Sequence, residues 1–228
     1  MTNTPFTPIR KRQTIQDLVY EQMREALMSG AFEAGEGFTI SALSEKFSTS
    51  HMPVREAIRR LVAENALVVS SSGTAVVPQL DLRELMCIRD VRLLLEPATA
   101  ERAFEHFGKP EIERLRALVS EHQLRGERNE VVAMLAANRE FHFTIYAAAQ
   151  NPVLVSQIEN LWLRSGAYVR YLSDRMGPIL QNADQMMFVG HHKEMIAALE
   201  SGDRAGFAIA MASDISDTHA LLAKALTE

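Results

Sequence analysis

The 228-residue sequence contains a single cysteine, Cys87, which excludes an intramolecular disulfide and any metal site built from several cysteines. It also lacks an apolar run long enough to cross a membrane, and residues 1–11 contain no apolar core of a secretion signal. These absences predict a cytoplasmic protein that makes no contact with a membrane. Because Cys87 stands between Met86 and Ile88, its thiol is predicted to pack in a core.

The sequence has no excess of basic residues, since 24 lysines and arginines stand against 29 aspartates and glutamates, giving a net charge of −5. This balance argues against a protein that binds any polyanion through a general positive field. The basic residues that could contact DNA are clustered at residues 10–12 and between Arg55 and Arg60. With 47% hydrophobic residues the chain can bury a substantial core, and its length predicts two domains.

The segment from Ser50 to Val62 predicts an exposed amphipathic helix. Ser50 suits an N-cap, Pro53 is tolerated in a first helical turn, and apolar residues recur on one face. The opposite face carries His51, Met52, Arg55 and Arg59. A polar first turn flanked by arginines suits the DNA major groove, where such side chains meet base edges and phosphates. An ordinary surface helix with solvated charges fits the same pattern.

The segments around this helix favour DNA recognition. Helices are predicted over residues 15–29 and 41–47, a loop over residues 32–38, and β-prone runs over residues 67–70 and 74–77. The second helix leads through a tight turn into the exposed helix, which makes a helix-turn-helix unit. The two β-prone runs, joined around Gly73, form a two-stranded wing. A winged helix-turn-helix DNA-binding domain is therefore predicted over residues 1–78.

Residues 79–228 have a different hydrophobic pattern, with long stretches of helical periodicity and no strand-like alternation. Six helices are predicted, with breaks near glycine and proline: 82–106, 111–126, 130–149, 152–174, 179–200 and 203–226. The fold class is therefore mainly α, with an all-α six-helix bundle after the winged helix. A bundle of this size offers a dimerisation surface and an interior cavity for an effector.

The run Pro53-Val54-Arg55-Glu56-Ala57, together with Gly30, Gly35 and Gly73 in the loops and wing, resembles the GntR family of bacterial transcriptional regulators. The segment from Arg92 to Glu96, followed by an alanine-rich turn, is similar to the FadR-type C-terminal ligand-binding domain of that family, the FCD domain. The resemblance covers nearly the whole chain.

This resemblance implies a ligand-responsive, sequence-specific regulator that binds an inverted-repeat operator in double-stranded DNA as a homodimer. The residues expected to contact DNA are Ser50, His51, Met52, Arg55, Arg59 and Gly73. Two departures concern the exposed helix, because His51 stands where relatives usually have arginine and Ser48-Thr49 where they have Gly-Val. The operator sequence of a relative therefore cannot be carried over.

Asn138 and His142 are four residues apart in a predicted helix, so both project from one face. The resemblance adds His192 and Asp214, which align with two histidines of the metal site of many relatives. The implied variant site of these four residues can hold a divalent zinc, nickel or manganese ion and leave positions open for a carboxylate effector. Core histidines without a metal fit the same pattern.

Three further side chains of the helical half, Arg92, Arg164 and Tyr168, could supply contacts to a small organic acid. Each of them fits a surface ion pair or a core position equally well. His219 is predicted not to be a metal ligand, because the helix rotates it about 140° away from the aspartate. His191 is predicted to face solvent.

Two other function classes fit parts of the sequence. A metal-dependent enzyme could use His142 and His192 to hold a catalytic ion, and a protein-binding module could use the exposed helix. The sequence contains no HExxH, no Cys–His pair and no GxSxG, and a winged helix has no role in such an enzyme. A regulator without enzymatic activity is therefore the prediction.

Overall fold

The computed structural model describes residues 14–71, 73–180 and 185–227 of the chain. Within these ranges the helices are α1 (Ile15–Met28), α2 (Ile40–Lys46), α3 (His51–Ala63), α4 (Leu82–Ala103), α5 (Lys109–Glu127), α6 (Val131–Ala148), α7 (Pro152–Arg164), α8 (Gly166–Leu180), α9 (Gln185–Ser201) and α10 (Arg204–Thr227). The strands are β1 (Gly37–Phe38), β2 (Val68–Val69) and β3 (Ala75–Val76). None of the described helices is long and apolar enough to span a membrane. The basic cluster at residues 10–12 lies outside the described residues.

Helices α1, α2 and α3 form the helix-turn-helix that the sequence predicts. Helix α1 begins at a capping box, in which the Asp17 amide donates to the Thr14 hydroxyl and the Thr14 amide donates to the Asp17 carboxylate. The apolar faces of α1 and α3 pack together, with Val54 and Leu61 fully buried between them. Because this face of α3 is buried, the opposite face is turned toward solvent, as predicted.

The three strands form one antiparallel sheet in the order β1-β3-β2, in which β2 and β3 are the predicted wing. The predicted loop is confirmed over residues 32–36, but its last two residues, Gly37 and Phe38, form strand β1, so the prediction is wrong there. A two-residue strand has no alternation that a sequence could reveal. It forms because Gly37 and Phe38 lie opposite Val76 and Ala75, and because the ring of Phe38 is buried.

Helices α4 to α10 form an all-α C-terminal part, in which α4 packs on α10 and α5 packs on α6. The mainly α fold class is confirmed, but the described residues of this part form seven α-helices where six are predicted. The predicted helix 152–174 is divided at Ser165, whose hydroxyl donates to the Leu161 carbonyl oxygen (2.9 Å). Helix α8 then continues to Leu180 through the break predicted at residues 177–178.

Helix α4 places Cys87 on its exposed face, so the prediction of a core thiol is wrong. The buried face of the helix follows Leu85, Ile88, Arg92 and Glu96. Cys87 is one residue before Ile88, which rotates it about 100° away from that face. Arg92 and Glu96 are charged, so this part of the core contains an ion pair as well as apolar side chains.

The N-terminal and C-terminal parts meet where the end of α1 abuts the start of α8. Gly166 stands so close to α1 that a Cβ atom on it would lie 2.0 Å from the Leu27 carbonyl oxygen. Gly30 follows α1 with a φ of +70°, and its Cβ would lie 2.9 Å from the Arg170 amide nitrogen. The two backbones are therefore in direct contact, and only glycine fits at these positions without a shift of one helix.

Replacing Gly166 with alanine should lower the free energy of unfolding by about 1–3 kcal/mol, the usual cost of forcing extra atoms into a packed contact. The matched control is Gly190→Ala in α9, where nothing lies within 4 Å of the added Cβ. Alanine should leave that position unchanged or slightly more stable, because it has the higher helix propensity. Urea unfolding followed by circular dichroism measures both variants, and equal stabilities would contradict the backbone contact.

Candidate functional sites

Three side chains from different helices converge inside the C-terminal part: His142 of α6, His192 of α9 and Asp214 of α10. The Nε2 atom of His142 lies 3.2 Å from Nε2 of His192 and 3.2 Å from Oδ2 of Asp214. Nε2 of His192 lies 3.6 Å from Oδ1 of Asp214. Tetrahedral coordination with bonds of about 2.0–2.2 Å separates ligand atoms by about 3.3–3.6 Å. The three residues are therefore spaced as ligands of one divalent ion.

Burial and charge give these groups protonation states that suit a metal. Burial holds the pKa of His192 well below its usual range, although the Asp214 carboxylate opposes this shift. Burial alone would raise the pKa of Asp214, but the hydrogen bond from His142 and the nearby positive charges lower it well below its usual range. An ionised carboxylate and a neutral imidazole are the forms that bind divalent ions.

A cavity of about 70 Å³ opens beside this cluster, and Asn138, His142 and Asp214 line it. Asn138 also lines a second cavity of about 110 Å³, which reaches Met28 and Ser29 at the end of α1. The structure thus brings three of the four predicted metal residues into one cluster and places the fourth, Asn138, on the wall of the same cavity. Such a volume suits a small ligand, since drug-sized molecules occupy about 300 Å³ or more.

The exposed face of α3 carries the side chains predicted to contact DNA. Met52 is 65% exposed, and His51 and Arg55 are also exposed. Arg59 is exposed and its guanidinium pairs with Glu56 at 2.7 Å. The remaining two predicted residues flank this surface: Ser50 is the extended N-cap of α3, and Gly73 turns the wing with a φ of +80°.

Comparison with protein families covers both parts of the chain. The family described as "Bacterial regulatory proteins, gntR family" matches residues 15–77, which include the helix-turn-helix and the wing. The family described as "FCD domain" matches residues 87–217, which include the histidine and aspartate cluster. The chain belongs to the GntR family of transcriptional regulators. Its C-terminal part is an FCD domain, as the sequence predicts.

Individual relatives extend this match over nearly the whole chain. The HTH-type transcriptional regulator McbR of Escherichia coli K12 is 28% identical over 218 residues, which are 96% of this chain and 97% of that protein. The gluconate operon transcriptional repressor of Bacillus subtilis 168 is 27% identical over 201 residues, 88% of this chain and 82% of that protein.

Solved structures of GntR-family regulators share the fold. The structure of E. coli McbR/YncC superposes with a TM-score of 0.85 at 28% identity and covers 92% of this chain and 98% of its own. A GntR family member from Pseudomonas syringae pv. tomato DC3000 has a TM-score of 0.55 at 21% identity, with 93% of this chain and 86% of its own covered. The fold of this chain, a winged helix followed by a helical domain, is thus shared with these structures.

A buried hydrogen-bond network lies behind the metal cluster of the FCD domain. The Arg92 guanidinium donates to Glu96 through Nε (2.6 Å) and Nη2 (3.1 Å), and Glu96 is fully buried. The same carboxylate accepts from the Tyr146 hydroxyl (2.5 Å) and from the Trp162 indole nitrogen (3.2 Å). Arg92 lines the cavity as predicted for an effector contact, but its charge is already paired with Glu96.

His122 of α5 is a site residue that the sequence reasoning missed. Its Nδ1 lies 3.3 Å from Nδ1 of His192, on the side of that ring turned away from the cluster. Burial lowers the pKa of His122 to about 4, so its ring is neutral. The sequence did indicate that His122 is buried, because it lies on the apolar face of α5, seven residues after Leu115 and three after Val119.

Of the other two residues predicted to contact an effector, Tyr168 lines the cavity and Arg164 does not. The Tyr168 ring lines the cavity, but its hydroxyl accepts from the Asp81 amide (3.1 Å) and donates to the Asp81 carbonyl oxygen (2.8 Å). Arg164 pairs with Glu84 of α4, and it is not among the described residues that line the cavity. Of the three predicted effector contacts, Arg92 and Tyr168 therefore line the cavity with their polar groups already paired, and Arg164 does not line it.

Two histidines outside the predicted ligand set also have defined positions. His219 is not part of the metal cluster but is buried on the wall of the cavity, where its Nδ1 donates to the Ile215 carbonyl oxygen (2.8 Å). His191 is only 18% exposed and lies between Glu194 (2.9 Å) and Asp217 (2.8 Å). The prediction that His191 simply faces solvent is therefore wrong.

His219 should make the metal-free protein less stable in mild acid. Burial and the nearby Arg92 guanidinium lower its pKa to about 4, against the hydrogen bond to Ile215. In the unfolded chain the ring takes up a proton near pH 6.5. The unfolded state therefore binds more protons between these values, and stability is lost as the pH falls from about 6.5 toward 4.

The matched variant is His219→Gln, whose amide can still donate to the Ile215 carbonyl oxygen but does not titrate. Between pH 7 and pH 5, in the presence of a chelator, the variant should lose about 2 kcal/mol less stability than the wild type. Urea unfolding at the two pH values measures this difference. Parallel losses in the two proteins would contradict the lowered pKa.

Proposed function

We propose that this GntR-family regulator is ligand-responsive and sequence-specific, and that it senses a small organic acid at a metal site in its FCD domain. This proposal rests on one observation. A buried His-His-Asp cluster lies beside a cavity, and α8, which lines that cavity, contacts α1 of the DNA-binding domain. The chain is divided in this proposal into a DNA-binding domain, residues 1–78, and an effector-binding and dimerisation domain, residues 79–228.

The DNA interface is the exposed face of α3 with the adjoining wing. Arg55 lies one turn into the helix, where a guanidinium reaches guanine or phosphate in the major groove. His51, at the position that relatives usually fill with arginine, offers one donor and one acceptor as a neutral ring, so it discriminates less strongly at its base pair. The net charge of −5 confines binding to this local surface.

The regulator binds its operator as a homodimer, and α4 supplies a surface for the contact. Cys87, Val91, Leu94 and Ala98 are exposed on one face of α4 at spacings of four, three and four residues. This spacing is that of an apolar seam between two packed helices. A two-fold axis across the seam makes the interface self-complementary, so the operator is an inverted repeat in double-stranded DNA.

His142, His192 and Asp214 hold a divalent ion in this proposal, and Asn138 adds an amide oxygen. Zinc, nickel and manganese all accept this mixture of imidazole and oxygen ligands. A metal ion held by these residues beside the cavity would supply a Lewis-acidic partner for an effector carboxylate. The first turn of α8, which carries Tyr168 on the cavity wall, also contacts α1, so an occupant of the cavity biases the DNA-binding domain.

A metal-dependent enzyme that uses His142 and His192 is the second candidate, because an ion with an open position suits hydrolytic chemistry as well. The winged helix favours the regulator, since an enzyme has no need of an exposed arginine-bearing helix. The regulator is also distinguished from a module that binds protein through α3, because only the regulator requires DNA. Operator binding by the purified chain is therefore the deciding measurement.

Arg55→Ala should weaken operator binding by about 1–3 kcal/mol and leave the fold intact, because the guanidinium contributes to the DNA interface but not to the core. The control is Arg114→Ala, which removes the same charge from an arginine of α5 that is 61% exposed. Gel-shift titrations at one fixed salt concentration compare the two variants. Equal affinities would remove Arg55 from the interface.

Asp214→Asn should lower the affinity for zinc by about tenfold or more, because it removes the one charged ligand of the cluster. The control is His106→Gln, which changes an exposed histidine outside the site. Isothermal titration of chelator-treated protein with zinc measures both variants, and the wild type should bind one ion per chain. A wild type that takes up no zinc, nickel or manganese contradicts the metal site.

A further inference from the structure

Each histidine of the metal cluster has its second ring nitrogen engaged by a buried group that the metal site itself does not require. Nδ1 of His142 lies 3.1 Å from the Tyr146 hydroxyl oxygen, and Nδ1 of His192 lies 3.3 Å from Nδ1 of His122. In both rings Nε2 points toward Asp214. A neutral imidazole carries a proton on one nitrogen only, so the partner of Nδ1 decides whether Nε2 has a free lone pair.

The direction of the hydrogen bond at His142 follows from the groups behind it. Glu96 accepts from Arg92 and Trp162, which can only donate, and its carboxylate is also 2.5 Å from the Tyr146 hydroxyl. An ionised carboxylate cannot donate, so the phenolic proton goes to Glu96. The hydroxyl oxygen is then an acceptor for a proton on Nδ1 of His142, so Nε2, which faces Asp214, is the nitrogen that would give up its proton when a metal ion binds.

The direction of the hydrogen bond between His192 and His122 follows from the requirement that His192 binds the metal through Nε2. Two Nδ1 atoms at 3.3 Å share one proton, so one ring donates and the other accepts. His192 can present a lone pair at Nε2 only if its own Nδ1 carries that proton. His122 must then accept at Nδ1 and hold its proton on Nε2. Both rings are buried, at 0% and 3% exposure, so water cannot readily replace this partner.

We propose that Tyr146 and His122 are positioning residues of the metal centre, which fix Nε2 as the ligating nitrogen of His142 and His192. The inference rests on the proposed metal site and assigns two residues to it that are not ligands. Outer partners of this kind orient the ring and fix its tautomer, and their loss reduces metal affinity by about 10–100-fold. Neither residue touches the ion.

The first experiment compares Tyr146→Phe with Tyr20→Phe in the full chain. Both changes remove a buried tyrosine hydroxyl that donates to a glutamate, since Tyr20 donates to Glu64 in the N-terminal part (2.8 Å). Tyr146→Phe should weaken zinc binding by about 10–100-fold, whereas Tyr20→Phe should leave it unchanged. Thermal unfolding of the metal-free proteins establishes that each variant is folded.

The second experiment uses two replacements of His122. The amide oxygen of His122→Gln can accept the Nδ1 proton of His192, so this variant should bind zinc within about threefold of the wild type, a small part of the loss expected without an acceptor. His122→Leu offers no acceptor and should lose about 10–100-fold. Rescue by glutamine separates a hydrogen-bond acceptor from a space-filling ring.

Long-range proton–nitrogen spectra of the metal-free protein read the tautomers directly. The wild type should carry a proton on Nδ1 of both His142 and His192, whereas Nδ1 of His142 should be only partly protonated in Tyr146→Phe. A wild type that binds zinc while Tyr146→Phe and His122→Leu bind it equally well overturns this inference and leaves the metal site standing. A wild type that binds no metal overturns both.

Discussion

The buried carboxylate of Glu96 fixes the geometry of the FCD domain, because a charge removed from water is tolerated only with a full set of partners. Its four hydrogen bonds come from three helices: Arg92 of α4, Tyr146 of α6 and Trp162 of α7. Arg92 lies on the same helix as Glu96, so a displacement of α6 or α7 relative to α4 would remove the hydrogen bond of Tyr146 or Trp162 from this buried charge. The network therefore holds α6 in place, and α6 carries the first histidine of the metal cluster.

The cluster of His142, His192 and Asp214 likewise requires that every buried polar group has a hydrogen-bond partner. Three titratable side chains at the centre of the domain would be unfavourable in isolation, and each is satisfied by the others or by a neighbour behind it. The pKa directions of His192 and Asp214 show which charge state each takes, a neutral ring and an ionised carboxylate. These are the states in which a divalent ion would complete the cluster.

The contact between the two parts of the chain gives the cavity a route to the DNA-binding helices. Helix α8 begins at Gly166 directly against the Leu27 carbonyl oxygen, and two turns of the same helix line the cavity through Tyr168 and Leu172. In the proposed function, an effector in the cavity would act on α1 through this direct backbone contact, without an intervening loop. Helix α1 in turn packs on α3, which exposes Arg55.

The sequence by itself determined the helix-turn-helix, the wing and the all-α second half, because capping residues, turn glycines and apolar periodicity act over short distances in the chain. It also indicated His142, while the family resemblance added His192 and Asp214, and the structure places these three together. Only the tertiary structure decided the strand β1, the division of α7 from α8 at Ser165 and the exposure of Cys87. Each of these depends on which distant residue packs opposite.

The hydrogen-bond partners of Glu96 and His192 also could not be predicted from the sequence, because they come from distant parts of the chain. The pairing of Arg92 with Glu96 is visible as a four-residue spacing, but nothing local reveals that Tyr146 and Trp162 complete it from 50 and 66 positions away. His122 has the sequence context of a core position, and its meeting with His192 is set by how α5 packs on α9. Local chemistry determined which side chains could bind a metal, and tertiary packing decided which nitrogen each of them presents.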